Sequence, residues 1–181
     1  MFKSIRTGPK NVLFLCRVNG ARSIMAEAVT NALAESGVRA HSAGIEPVDR
    51  IPNAVLSVLW DHGIPIEGLR PKTLTEFIGP DAHEIDCIVT VGSQTLARLC
   101  PTWPRPPIVA HWNIPNTSAL ADTALHHREL EAMLAVVRRC VTALLNLSSA
   151  RLDGTALARE LSGIAARHVP VRLTDGLPAS A

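Results

Sequence analysis

Cys16, Arg22 and Ser23 have the types and the spacing of a site that binds a phosphate-like oxyanion and attacks it. Cys16 follows the apolar residues 12–15, and Arg22 and Ser23 stand six and seven residues further on, where a helical pattern begins. The N–H groups of a short loop and the N-terminus of a helix attract negative charge, and an arginine can hold two oxygens of the anion. The same positive field favours the thiolate, which is the nucleophilic form of cysteine. The pattern therefore predicts nucleophilic chemistry by Cys16.

The other interpretation of Cys16 is an inert thiol in the hydrophobic core, where free cysteines are often found. A cysteine with an arginine six residues on is a weak signal alone, because arginine is frequent in this chain. The adjacent serine, the apolar strand before the loop and the helix after it supply the structural context that such a motif needs. We therefore favour the reactive cysteine over the inert one.

The composition is that of a single domain with a substantial core, since 47% of the 181 residues are hydrophobic. A net charge of +2 without a dense basic block does not indicate nucleic-acid binding. No run approaches the roughly 18 apolar residues of a membrane span, and the N-terminus lacks the apolar region of a secretory signal. We therefore expect no membrane segment, no nucleic-acid partner and a cytoplasmic location.

The four cysteines, Cys16, Cys87, Cys100 and Cys140, are irregularly spaced. This spacing predicts neither a disulfide framework nor a zinc site. In a reducing compartment the cysteines should be free thiols unless chemistry uses them. Cys87 lies within an apolar strand pattern and Cys140 lies beside an apolar helix stripe, so we expect both to be packing residues.

Strand and helix patterns alternate along most of the chain. Apolar runs predict strands at residues 12–15, 38–42, 85–91 and 107–111, and helical patterns fall at residues 23–35, 52–62, 73–77, 93–99 and 120–147. Ser23 is a candidate N-cap and Gly37 a candidate stop for the first helix. The alternation predicts an α/β fold, a four-stranded parallel sheet with helices on both faces. Ligands of such sheets bind beyond the carboxyl ends of the strands, where Cys16 lies.

The segment after residue 150 has a different pattern. Leu157, Leu161, Ile164 and His168 recur at helical spacing, and residues 170–181 are rich in Pro, Gly, Ala and Ser. We expect one helix followed by a frayed tail. The helix could pack on the core or on a partner chain, and the core is the commoner place for an amphipathic helix.

Residues 16–23, Cys-Arg-Val-Asn-Gly-Ala-Arg-Ser, resemble the phosphate-binding loop of low-molecular-weight protein tyrosine phosphatases and of the arsenate reductases that share their fold. Further matches are to the arsenate reductase branch, at residues 25–28, 42–44, 63–66, 70–74, 89–91, 100–101 and 111–112. The similarity runs from about residue 11 to residue 147. It predicts a domain of this type at residues 11–148 and a C-terminal extension at residues 149–181.

The resemblance implies a mechanism in which the Cys16 thiolate attacks phosphorus or arsenic. Arg22 and the loop would hold the oxyanion, and Ser23 would donate a hydrogen bond that favours the thiolate. Asn19 would hold the loop in shape, because asparagine tolerates left-handed backbone, or it could be an ordinary turn residue. The implied oxyanion-binding residues are Arg17, Val18, Asn19, Gly20, Ala21 and Arg22.

The resemblance implies no required cofactor, although a reductase needs a thiol reductant. In some arsenate reductases a potassium ion lies behind the loop. Asn19, Glu27 and Ser42 match part of its ligand set, and the sequence does not place the remaining ligand.

Asn116 is a departure from the pattern of both branches, which carry an aspartate after the fourth strand to protonate the leaving group. An amide cannot supply a proton as a carboxylic acid does, and such acid catalysis contributes about 10²–10⁴-fold. Asp122, six residues on, could replace the acid. We favour its other interpretation, a first-turn carboxylate stabilised by the helix dipole.

Cys100 is the candidate for the second thiol that arsenate reduction requires. It matches the last of the two later cysteines that thioredoxin-linked members use, whereas Gly92 and Ser93 stand near the position of the middle one. Cys100 could resolve an oxidised Cys16, a small external thiol could do so instead, or Cys100 could be a packing residue at a helix end.

Three functions fit the sequence. The leading hypothesis is an arsenate-reductase-like enzyme that uses Cys16 and a second thiol from the chain, thioredoxin, glutaredoxin or a small thiol. The second is a phosphatase that hydrolyses phosphotyrosine or small aryl phosphates through a cysteinyl-phosphate. The third is a regulatory protein that binds an oxyanion but turns it over weakly, because Asn116 replaces the acid. The sequence does not predict an oligomeric state.

Overall fold

The computed structural model describes residues 5–6, 10–34, 37–79, 82–92, 103, 105–116, 123–148 and 152–170. The strands are β1 (Ile5–Arg6), β2 (Asn11–Cys16), β3 (Arg39–Gly44), β4 (Cys87–Thr90), β5 (Ile108–His111) and β6 (Leu152–Asp153). The helices are α1 (Arg22–Leu33), α2 (Asn53–Asp61), α3 (Thr123–Ser148) and α4 (Gly154–His168), and a 3₁₀ helix spans Leu74–Phe77.

Four of these strands form the predicted parallel sheet, in the order β3-β2-β4-β5. The strand β2, which ends at Cys16, is central, and Cys16 pairs with Gly44 at the end of β3. The α/β fold class is therefore confirmed. The antiparallel pair of β1 and β6 is an addition that the sequence did not predict, because each strand is only two residues long.

Both faces of β2 are covered by hydrophobic clusters, which explains why its residues 12–15 are apolar without interruption. Val12 and Phe14 belong to a hydrophobic cluster that the four α-helices share, whereas Leu13 and Leu15 belong to a second cluster on the opposite face. In the second cluster they pack with Leu74 and other residues around the 3₁₀ helix. Alternate residues of a strand point to opposite faces, so a strand that is buried on both faces needs an unbroken apolar run. The helix predicted at residues 93–99 lies outside the described residues.

The start of α1 differs from the prediction. The helix begins at Arg22, its N-cap is Ala21, and no side chain caps it. Ser23 is therefore inside the first turn, and the interpretation of Ser23 as the N-cap was wrong because its hydroxyl has other partners, described below. Gly37, the predicted stop, has a positive φ of 89°, a conformation that glycine adopts without steric cost.

The helix α4 packs on the core, as expected. Leu157, Leu161 and Ile164 are buried in the same cluster as the predicted apolar stripe of α3. The indole Nε1 of Trp112, just after β5, donates a hydrogen bond to the Leu161 carbonyl at 3.0 Å. This contact joins the loop after β5 to the C-terminal helix. The division into a domain at residues 11–148 and an extension at residues 149–181 stays a prediction. None of the helices in the described part of the chain has the length and apolarity that crossing a bilayer requires.

Candidate active site

The loop between β2 and α1 folds back over the sulfur of Cys16. Asn19 has a φ of 45°, so it adopts the left-handed conformation that was expected of it. This turn brings the backbone N–H of Asn19 to the Cys16 Sγ, to which it donates at 3.1 Å. The thiol is almost completely buried and lies at the carboxyl end of the central strand.

The orientation of the loop peptides favours an anion on the sulfur side. The carbonyls of Arg17 and Val18 accept hydrogen bonds from the backbone N–H groups of Glu46 and Val48, both at 2.9 Å. Because the peptide plane holds the next N–H opposite each carbonyl, the N–H groups of Val18 and Asn19 face the other way. Peptide N–H groups that point into one concave loop form an anion-binding nest.

Ser23 places a second hydrogen-bonding group against the sulfur. Its Oγ lies 3.0 Å from the Cys16 Sγ, and it accepts a hydrogen bond from Asn19 Nδ2 at 2.8 Å. A thiolate can only accept hydrogen bonds, so Ser23 O–H must be the donor when Cys16 is ionised. The sulfur anion therefore receives two donors, the Ser23 hydroxyl and the Asn19 N–H, and both stabilise it.

Arg22 begins α1 and carries the positive charge of the site. Its Nη1 donates to the carbonyl of Ile114 at 3.2 Å, which ties the loop after β5 to the guanidinium. Burial lowers the pKa of Arg22, and the charge of the nearby Cys16 sulfur opposes that shift. A guanidinium has five N–H donors, so donors remain for an anion beside the sulfur.

Two glycines leave room for this arrangement. A Cβ on Gly44 would lie 2.9 Å from the carbonyl oxygen of Arg17 and 3.0 Å from the backbone nitrogen of Asn19. A Cβ on Gly92 would lie 3.3 Å from Nη1 of Arg22. The sequence showed Gly44 only as part of a matched segment, and Gly92 only as a residue near the position of the missing middle cysteine. A glycine at the end of a strand next to β2 was the signal that could have identified Gly44.

The other loop residues have few side-chain contacts with the sulfur. Arg17 is exposed and pairs with Glu46 at 3.1 Å, and Val18 is also exposed. Gly20 is buried, and a Cβ there would meet Val48 at 3.5 Å. Their predicted part in oxyanion binding depends on the backbone N–H groups alone, and it stays a prediction.

Comparison with known proteins identifies the family. Residues 11–114 match the profile of the low molecular weight phosphotyrosine protein phosphatases. The chain belongs to this family. Members of the family are cysteine-dependent enzymes, so the chain is an enzyme of this type.

Three similar proteins are arsenate reductases. The enzyme of Archaeoglobus fulgidus is 34% identical, with a TM-score of 0.54 over 72% of this chain and 98% of its own. The thioredoxin-dependent arsenate reductase of Corynebacterium glutamicum is 25% identical, with a TM-score of 0.52 over 76% of this chain and 64% of its own. The glutaredoxin arsenate reductase of Synechocystis sp. is 26% identical over 105 residues, which are 58% of this chain and 76% of that protein.

Two further cysteines, Cys87 and Cys140, lie on β4 and α3, outside the loop. Cys87 and Cys140 are buried, and burial raises the pKa of Cys87 to about 12 and that of Cys140 to about 11. Such thiols are unreactive at neutral pH, which agrees with their predicted packing role. Cys100, the candidate resolving thiol, lies outside the described residues, as does Asp122.

Asn116, which the sequence predicts at the position of the family's acid, lies on the loop that Arg22 holds through Ile114. It is exposed, and with Ile114, Pro115 and Met133 it lines a cavity of about 100 Å³. No hydrogen bond among the described residues joins Asn116 to Cys16 or Arg22. The role of residue 116 in leaving-group chemistry therefore stays a prediction.

The residues that match part of a potassium site, Asn19, Glu27 and Ser42, lie together with the ammonium of Lys72. Ser42 Oγ donates to Glu27 Oε2 at 2.5 Å, and Asn19 Nδ2 donates to Ser42 Oγ at 2.9 Å. The ammonium of Lys72 lies 3.0 and 3.2 Å from the two Glu27 oxygens and 3.0 Å from the Arg70 carbonyl. These residues do not fit a potassium ion, because the Lys72 ammonium already pairs with both oxygens of Glu27. Elsewhere in the described chain, His, Cys, Asp and Glu form no group of three suited to a metal.

Proposed function

We propose that this chain reduces arsenate to arsenite, with Cys16 as the nucleophile. The observation that carries the proposal is the sulfur held between the Asn19 N–H and the Ser23 hydroxyl, next to the Arg22 guanidinium. The arsenate reductases of Archaeoglobus fulgidus and Corynebacterium glutamicum, at 34% and 25% identity, support this substrate.

The proposed reaction uses two thiols in sequence. The Cys16 thiolate attacks arsenic, an oxygen leaves as water, and a sulfur–arsenic bond forms while Arg22 and the loop N–H groups hold the remaining oxygens. A second thiolate then attacks the Cys16 sulfur to form a disulfide. The electron pair of the broken sulfur–arsenic bond stays on arsenic, which leaves as arsenite. A second reductant then returns the disulfide to two thiols.

The second thiol has few candidates. Cys87 and Cys140 are excluded by their burial and raised pKa. We propose that it comes either from Cys100 or from an external glutaredoxin, thioredoxin or small thiol. The dependence of the relatives on glutaredoxin or thioredoxin, as their names state, supports an external reductant. This chemistry requires reduced thiols, so we also propose a cytoplasmic location.

The second candidate function is hydrolysis of aryl phosphates. It is favoured by the family itself, because the same loop would bind a phosphate and form a cysteinyl-phosphate. Asn116 removes the predicted acid from both reactions, but it weighs more against hydrolysis. The bridging oxygen of a monoester carries no proton of its own, whereas the oxygen that leaves arsenate can depart from an As–OH group.

An activity comparison tests the proposal. Purified protein is assayed with arsenate and the thioredoxin system, a glutaredoxin–glutathione system or a small thiol, and separately with an aryl phosphate. We expect arsenite formation with at least one reductant. Turnover of the aryl phosphate alone would reject the reductase. Phosphate binding without turnover of either substrate would favour an oxyanion-binding regulatory protein.

The change Asn116→Asp is expected to raise aryl phosphate hydrolysis by about tenfold or more, because it restores a carboxylic acid that can protonate the leaving group. The measurement is kcat for an aryl phosphate across pH 5–8. Asn113→Asp is the matched control, since Asn113 is exposed on the same loop, and it should leave the rate unchanged. An equal rate in Asn116→Asp and the wild type would show either that residue 116 is not at the acid position or that another residue already supplies the proton.

A further inference from the structure

Lys72 and Glu27 form a buried ion pair directly behind the phosphate-binding loop. Their side chains are 9% and 10% exposed, and the Nζ–Oε2 distance is 3.0 Å. Removing two charges from water is costly, and a pair of this kind adds little stability compared with apolar residues. Its connection to the loop provides a functional reason for its presence.

A directed chain of hydrogen bonds leads from this pair to the sulfur. The Glu27 carboxylate can only accept, so the Ser42 hydroxyl must donate to it, and Ser42 can then only accept from Asn19 Nδ2. The second proton of the Asn19 amide is donated to Ser23 Oγ. The Ser23 hydroxyl proton is then free to point at Cys16.

The backbone of Lys72 fixes the other end of the Asn19 amide. Its N–H donates to Asn19 Oδ1 at 2.7 Å, so the amide cannot turn over without losing this bond. The Lys72 carbonyl accepts from Gly44 N–H at 2.8 Å, and Thr73 pairs with Gly44 beside β3. The residue is thus anchored to the sheet that carries the loop.

We propose that Lys72 is a positioning residue that takes the place of a bound cation in this chain. Its ammonium compensates the buried charge of Glu27, and an ionised Glu27 holds the hydrogen-bond chain in the direction that presents the Ser23 proton to the Cys16 thiolate. Without the ammonium, the Glu27 carboxylate would be a buried charge with no ionic partner, and the hydrogen bonds of Ser42 and Asn19 that lead to it would lose their anchor. The inference rests on the proposed role of Cys16 as nucleophile.

The rate of Cys16 alkylation by iodoacetamide, followed as a function of pH, tests this inference because it reports the thiolate directly. In Lys72→Met we expect the alkylation profile to move to higher pH. The rate at pH 7 should fall by about tenfold for each pH unit by which the profile moves. Lys10→Met, a change of an exposed lysine, should leave the profile unchanged. An unshifted profile in folded Lys72→Met would overturn the proposal.

Ser42→Ala gives an independent answer if Lys72→Met does not fold. This small change keeps the Lys72–Glu27 pair but breaks the chain between Glu27 and Asn19. We expect the same shift of the alkylation profile to higher pH. An alkylation profile like that of the wild type in Ser42→Ala would contradict the directed chain of hydrogen bonds, whether or not Lys72→Met folds.

Cation rescue tests the charge itself. The wild-type rate should be equal in sodium and potassium salts, whereas Lys72→Ala should recover reactivity with ammonium or potassium ions, which can reach Glu27 and the Arg70 carbonyl. If the wild-type rate depends on potassium, or if Lys72→Ala does not recover reactivity, the proposal that the Lys72 ammonium takes the place of a bound cation is rejected. If wild-type Cys16 is itself unreactive at neutral pH, the proposed function fails rather than this inference.

Discussion

Cys16→Ser is expected to lower arsenate reduction and aryl phosphate hydrolysis by about 10⁴-fold or more, as is typical when a catalytic nucleophile is removed. A serine hydroxyl remains protonated at neutral pH, so the attack on arsenic or phosphorus is lost. Its oxygen also cannot form the disulfide that releases arsenite. The measurement is kcat/KM with arsenate and the best thiol reductant, and with an aryl phosphate.

Cys140→Ser is the matched control for the loss of Cys16. Cys140 is buried in α3, and its pKa is raised to about 11, so it takes no part in the chemistry. A serine inside a helix can donate to the carbonyl four residues earlier, which limits the cost of the buried hydroxyl. Turnover should stay at the wild-type level in Cys140→Ser. Equal losses in the two variants would indicate a folding defect instead of a lost nucleophile.

Arg22→Ala is expected to lower kcat/KM for arsenate by about 10³-fold or more, because removing even one oxyanion donor costs about 10²–10³-fold. It also removes the bond to the Ile114 carbonyl, which holds the loop after β5. Arg22→Lys should recover part of the loss, since lysine keeps the charge but lacks the planar fork that binds two oxygens. Binding of inorganic phosphate, measured by calorimetry, should weaken in the same order.

Arg139→Ala provides the control for the change in net charge. Arg139 is exposed on α3, an element that contributes none of the proposed site residues. Its loss should leave both phosphate affinity and kcat/KM unchanged. Wild-type phosphate affinity in Arg22→Ala would show that the guanidinium does not hold the anion.

Local patterns were sufficient to predict the fold and the loop. The unbroken apolar run of β2 predicted a strand covered on both faces, and the sheet confirms it. The left-handed backbone of Asn19 was also expected from its residue type. Ser23 was misassigned because serine at the start of a helical pattern usually caps the helix, whereas here its hydroxyl contacts the sulfur and Asn19.

Contacts between distant segments could not be predicted in this way. Lys72 is 53 residues from Asn19 and 45 from Glu27, and no periodicity joins them. The sequence showed Lys72 only as one residue of a matched segment, and its burial and partners arise from the packing of that segment beside β3. The Ile114 carbonyl is likewise 92 residues from Arg22. Every residue has a backbone carbonyl, so the sequence does not indicate which one accepts this hydrogen bond.

Anion protection of Cys16 from iodoacetamide, followed by mass spectrometry of the peptides, tests most directly whether a nucleophilic sulfur lies in an oxyanion pocket. At neutral pH we predict that Cys16 is alkylated well before Cys87 and Cys140, whose pKa values are raised to about 12 and about 11. Phosphate or arsenate should slow the alkylation of Cys16 in proportion to its occupancy of the loop. An unreactive Cys16, or a rate that neither anion changes, would contradict the proposed site.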